Sequence, residues 1–150
     1  MNKDIEPTVS LEQLAASSLD LPAEWSVESL QWEVPLKTLR IRLSPSRKAR
    51  WRCSTCNQEA PVYDLLKKSW RHLDLWSFET WVHAAIPRTN CPRHGVLATP
   101  VSWADPRSRL TRPVTERAIA LLRNHRVGTA AAVLGLKWDQ LKRLKNRIES

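Results

Sequence analysis

The chain has no long apolar run. Nothing in its 150 residues approaches the 18 or so that a membrane-crossing helix needs, so no membrane partner is expected. Its first residues, MNKDIEPTVSLEQL, lack the apolar stretch that export requires, and the expected setting is a reducing cytoplasm. Cysteine is scarce. Three residues leave one unpaired in any disulfide scheme, so metal ligation accounts for them better. Glycine also numbers three, and Tyr, Phe and Met one each. There is no internal repeat, low-complexity tract or heptad pattern.

Tryptophan, by contrast, occurs eight times, which points to a core filled by few, large side chains. Hydrophobic residues make up 42% and charged residues 26%, the balance of a globular chain large enough for one medium domain or two small ones. The net charge of +9 is unevenly spread. Residues 1–36 carry one cation against seven acids, residues 37–106 twelve against five, and residues 107–150 eleven against three. An acidic lead followed by a basic body is the distribution of a nucleic-acid-binding chain.

Residues 10–19 read as a short helix capped by Ser10, with Leu11, Leu14 and Ala15 sharing a face until Leu21 and Pro22 end it. Apolar positions at Trp25, Val27, Trp32 and Val34, then a clean alternation in LRIRL, predict a β-hairpin turning near residues 35–37. Residues 50–56 read as a strand entering a turn, and WRHLDLW and TWVHAAIPR as two further strands. After Pro106 the period becomes helical: residues 112–125, then 129–134, then 138–148. The resulting fold class is α+β. A lead-in over 1–24 precedes a small β-rich, zinc-ribbon-like domain over 25–106 and a C-terminal helix-turn-helix three-helix bundle over 107–150.

Cys53 and Cys56 form one C-x2-C knuckle, and Cys91 and His94 a C-x2-H knuckle 34 residues further on. Zinc takes four tetrahedral thiolate or imidazole ligands, and a two-residue spacer in a tight turn lets both side chains reach one ion. Four protein ligands leave no position for water, so one structural Zn2+ is expected, with no catalytic metal or small-molecule substrate. His72 and His83 are rival fourth ligands, but neither lies near a cysteine in sequence. His125 ends a predicted helix, where it complements the dipole.

On the last helix, Trp138, Leu141, Leu144 and Ile148 share one face and should pack inward. Asp139, Lys142, Arg143, Asn146 and Arg147 fall on the other side, with Gln140 borderline and Lys137 just ahead. These seven are the candidate DNA contacts, because Arg can read guanine and Asn or Gln adenine in the major groove. Arg107, Arg109 and Arg112 precede the bundle, where they would meet phosphates rather than bases.

The stretches LDLPAEWSVESLQWE, CSTCNQEAPVYD, WRHLDLW, IPRTNCPRHGV, PVSWADPRSRLT and AAAVLGLKWDQL, in this order, resemble bacterial insertion-sequence transposases of the ISL-three type over residues 14–149. The resemblance implies a zinc-binding domain with ligands Cys53, Cys56, Cys91 and His94, then a helix-turn-helix that recognises the element's terminal repeats. Ser54 stands where such knuckles often have Pro. The family's catalytic domain, with three carboxylates for strand transfer, has no counterpart in residues 107–150, whose acids are Glu116, Asp139 and Glu149. The expectation is a non-enzymatic, double-stranded-DNA-binding protein of the bacterial nucleoid. The alternative is a zinc-dependent protein-interaction adaptor or regulator acting on a transposase or another DNA-bound protein; further expected partners are a full-length transposase or a second copy of the chain.

Overall fold

The alternation of LRIRL appears directly in the sheet. In the computed structural model, which describes residues 8–150, β1 (Trp25–Glu33) and β2 (Thr38–Pro45) form an antiparallel hairpin closed by a 3-10 turn over Val34–Leu36. Leu39, Ile41 and Leu43 are buried on one face, while Arg40 and Arg42 lie on the other. β4 (Glu79–Cys91) then lies parallel to β2, with Leu39 opposite Thr80 and Ile41 opposite Val82. β3 (Val62–Arg71) pairs antiparallel along the free side of β4, and β5 (Gly95–Ala98) turns back on its end. The strand order is β1-β2-β4-β3, a mixed sheet.

Two expectations are corrected here. Residues 50–56 are not a strand; only an isolated bridge, Arg52 to Glu59, marks that segment. The strand expected over residues 70–76 begins instead at Val62 and stops at Arg71, after which the chain turns at Leu75–Phe78. β3 escaped notice because it is an edge strand whose Val62, Tyr63, Leu65 and Leu66 are all exposed, which erases the two-residue period.

α1 (Leu11–Leu19) carries a capping box: Ser10 Oγ accepts from Gln13 N at 3.1 Å, and Gln13 Oε1 accepts from Ser10 N at 2.8 Å. Its buried residues are Ala15 and Leu19; the expected partners Leu11 and Leu14 face solvent. The first seven residues of the 1–24 lead-in lie outside the described residues. α1 covers the apolar side of the sheet together with the segment around Trp103. There Trp103 meets Trp25 and Trp70 edge-on, at 5.0 and 5.4 Å between ring centroids, and Trp25 meets Trp51 at 5.7 Å.

α2 (Arg112–Leu122), α3 (Val127–Leu134) and α4 (Trp138–Glu149) follow, around a second core that includes Ala118, Ala130, Leu141 and Leu144. Trp138 and Ile148 do not join it: they are 55% and 48% exposed. Trp138 sits at the margin of the apolar stripe, and Ile148 lies in the last turn of a 12-residue helix packed on an 8-residue one. No helix among the described residues is long and apolar enough to cross a membrane.

The sheet and helices meet at one corner. Arg71 N donates to Arg109 O at 2.8 Å, and Thr111 N donates to Arg71 O at 3.0 Å. His72 bridges the same corner, with Nδ1 2.8 Å from Thr111 Oγ1 and Nε2 3.1 Å from Ser18 Oγ. Gly135, at φ +66°, closes the α3–α4 turn against the Arg71 side chain.

Candidate metal centre

The first knuckle is shaped by its backbone. Cys53 N donates to Gln58 O at 2.8 Å and Asn57 N to Cys53 O at 2.9 Å, with Asn57 in the left-handed region at φ +60°. This tight turn aims Cys53 and Cys56 the same way, and Thr55 N reaches the Cys53 sulfur at 3.4 Å. The second knuckle is the β4–β5 turn, where Cys91 pairs with Gly95 at φ +73°. β4 carries it to the first knuckle.

The four side chains converge. One donor atom from each of Cys53, Cys56, Cys91 and His94 lies within 4.8 Å of all the others. Cys56 Sγ is 3.7 Å from Cys91 Sγ, and His94 Nδ1 is 3.6 Å from the sulfurs of both Cys53 and Cys91. Tetrahedral zinc with its usual bond lengths sets donor edges of about 3.8 Å for sulfur–sulfur and about 3.6 Å for sulfur–nitrogen. The donor set therefore fits zinc in type and in spacing.

The electrostatics agree. N–H groups of Cys56 and Thr55 lower the Cys53 thiol, and that of Arg93, with help from His94, lowers Cys91 to about 6. At Cys56 the Gln58 N–H pulls downward, but burial and the neighbouring Cys91 and Cys53 raise the thiol overall. His94 is raised, first by its hydrogen bond to Cys91. Two sulfurs drawn toward ionisation beside a third that they hold protonated call for a cation in the pocket.

The family described as zinc-finger of transposase IS204/IS1001/IS1096/IS1165 matches residues 49–94. Residues 49–94 are an ISL3-type transposase zinc ribbon. The ribbon holds one structural zinc ion. Two curated proteins, each named transposase for insertion sequence element IS1557 and coming from two strains of Mycobacterium tuberculosis, are 37% identical over 65 residues. That stretch is 42% of this chain and 15% of either transposase. No solved structure matches. The family match is thus narrower than the 14–149 span over which the motifs resemble the family.

The rival histidines stand apart from the ribbon's cysteines. His72 is buried between Ser18 and Thr111, and burial, then Arg71, push its pKa down to about 4. His83 accepts or donates at Ser69 Oγ, 2.7 Å away, and is lowered by burial and by Arg42 and Arg40. His125 is exposed after α2.

Of the seven candidate DNA contacts, Gln140, Arg143, Asn146 and Arg147 line one cleft, together with Arg107 and Arg109. Lys137, Asp139 and Lys142 lie outside it. Gln140 Oε1 accepts from Lys137 N at 3.1 Å, so the amide closes the start of α4. Lys68 of β3, which sequence reading did not single out, lines a neighbouring cleft with Arg107 and Arg109; the adjacent Lys67 and Lys68 were a usable signal.

Proposed function

We propose that this chain is the DNA-recognition part of an insertion-element transposase. In this reading Cys53, Cys56, Cys91 and His94 hold the zinc, the division runs 1–24, 25–106 and 107–150, and α2–α4 act as a helix-turn-helix reading the element's terminal repeats. The observation that carries it is a transposase-type zinc ribbon joined, through the Arg71 corner, to a helix trio whose last member exposes Arg143, Asn146 and Arg147. The reading places the protein in the cytoplasm on the nucleoid and assigns no catalysis to these residues: a zinc with four protein ligands has no open position. The test is binding of the zinc-loaded chain to a terminal-repeat duplex and to a scrambled duplex. Tighter binding of the repeat is expected, and equal affinity would remove specific recognition, since phosphate contacts are blind to sequence.

A second reading is an adaptor docking on a full-length transposase. It is favoured by Trp76, 71% exposed and stacked on Trp32, and by exposed Tyr63 and Leu65 on β3. Charge reversal at Arg143 and Arg147 separates the two: it abolishes binding in the first reading and leaves function intact in the second.

A further inference from the structure

The segment joining sheet to helices is built as a short extended edge. It lies parallel to the end of β3 through the bonds between Arg71 and residues 109 and 111. Ser108 and Leu110 are buried, and Ser108 Oγ meets both Leu110 N and Leu110 O at 3.1 Å. Arg107 and Arg109 are exposed on either side of the buried Ser108. Arg107 holds a left-handed backbone at φ +67°, a conformation uncommon outside glycine, and Ser108 N ties it to Asp105 O at 3.0 Å. The backbone that carries the two guanidinium groups is therefore set before any ligand arrives.

α4 forms the opposite wall. Between the two walls lies a cleft of about 410 Å³, with Arg107 and Arg109 on one side and Arg143 and Arg147 on the other. Among the described residues no carboxylate comes within 4.0 Å of Arg107, Arg109 or Arg147, and Asp139 reaches Arg143 only at 4.0 Å. Like charges gathered without counter-charges favour an anion between them. A second cleft, of about 510 Å³, shares Arg107 and Arg109 and extends past Lys68 to Ser54 of the first knuckle.

We infer that this cleft is a clamp for the phosphodiester backbone of duplex DNA, gripped by Arg107 and Arg109 from the linker and by Arg143 and Arg147 from α4. The inference rests on the DNA-binding reading above and divides its labour differently. Arg143 and Arg147 position the duplex. Base reading falls to Lys142, outside the cleft, and to Asn146, which shares the cleft's lining but stands opposite the buried Leu141 and Leu144. Gln140 is committed to the helix start.

Salt-dependent binding of the zinc-loaded chain to repeat and scrambled duplexes tests this. Each lost phosphate contact lowers the slope of log affinity against log salt by about 0.9. Arg107→Gln with Arg109→Gln should flatten the slope by about two and weaken both duplexes by the same factor. Arg143→Gln with Arg147→Gln should do the same, and the paired Lys substitutions should keep the slope. Asn146→Ala should leave the slope alone and cut discrimination by roughly tenfold or more. An unchanged slope in the first variant, with zinc content and circular dichroism intact, overturns the clamp while leaving DNA binding standing. Altered discrimination in the second variant overturns the division of labour. Wild-type binding to neither duplex would instead sink the DNA-binding reading itself. Tripolyphosphate should compete no better than salt of equal ionic strength; stronger competition makes the cleft a small-anion site. Equal binding of an RNA duplex overturns the assignment to DNA.

Discussion

His72 is the residue through which three parts of the chain are tied. Burial holds its imidazole neutral, with a pKa of about 4 against 6.5 for a free histidine. The unfolded chain therefore takes up the proton first as the solution is acidified. The contribution is fully present above pH 6.5 and is lost progressively as pH falls toward 4, by up to about 3 kcal/mol. Urea unfolding of the zinc-loaded chain should show this loss, and His72→Gln should be less stable at neutral pH but flatter across that window. Parallel pH profiles for the two proteins would refute the assignment. Comparing variant with wild type cancels acid effects at the zinc ligands, which both share. At this scale the metal cluster was legible, because knuckle spacing alone brings Cys53 to Cys56 and Cys91 to His94. The exposure of Trp138 was not, since the edge of a helical stripe depends on how far the neighbouring helices reach.

Among the elements, the turns give the sharpest contrast. Gly135 and Gly95 both hold left-handed backbone, but their surroundings differ. A Cβ at Gly95 would meet nothing within 4 Å, while one at Gly135 would lie 3.4 Å from Arg71 Nη2. Gly95→Ala and Gly135→Ala should each cost about 1–2 kcal/mol, the backbone penalty, since the Cβ added at Gly135 meets Arg71 Nη2 only at ordinary contact distance. Thermal unfolding of both variants checks this; a clearly lower midpoint for Gly135→Ala would show that Arg71, ion-paired to Asp74 at 2.6 Å, cannot yield. The β1–β2 hairpin and the three C-terminal helices were legible as elements because their hydrophobic periods are local. β3 was not, since its exposed apolar residues carry no period. The parallel pairing of β2 with β4 leaves no local mark at all, for it joins residues 41 positions apart, from Thr38 with Glu79 to Leu43 with Ala84.

For the whole molecule, the two cores set the expected response to metal removal. The knuckles lie beside Trp51, which packs on Trp25 in the core of the sheet, whereas α2–α4 enclose a core of their own. Chelation should therefore change tryptophan fluorescence and near-UV circular dichroism first and leave most of the far-UV helical signal. DNA affinity should fall through loss of the Arg71 corner that seats Arg107 and Arg109. Loss of all signals in one transition would show that the helices do not stand without the ribbon. Cys91→Ser in place of chelation should reproduce the partial loss, since it removes a ligand and leaves the helical core untouched.

The parallel neighbour of β2 also sets an order of events during synthesis. The β1–β2 hairpin emerges with one edge open and waits for β4, while the first knuckle and β3 emerge in between. Only when β4 slots between strands already made does Cys91 reach the first knuckle. The four-ligand metal site is thus complete only once β4 has left the ribosome, and until then β2 keeps an open edge available for wrong pairing.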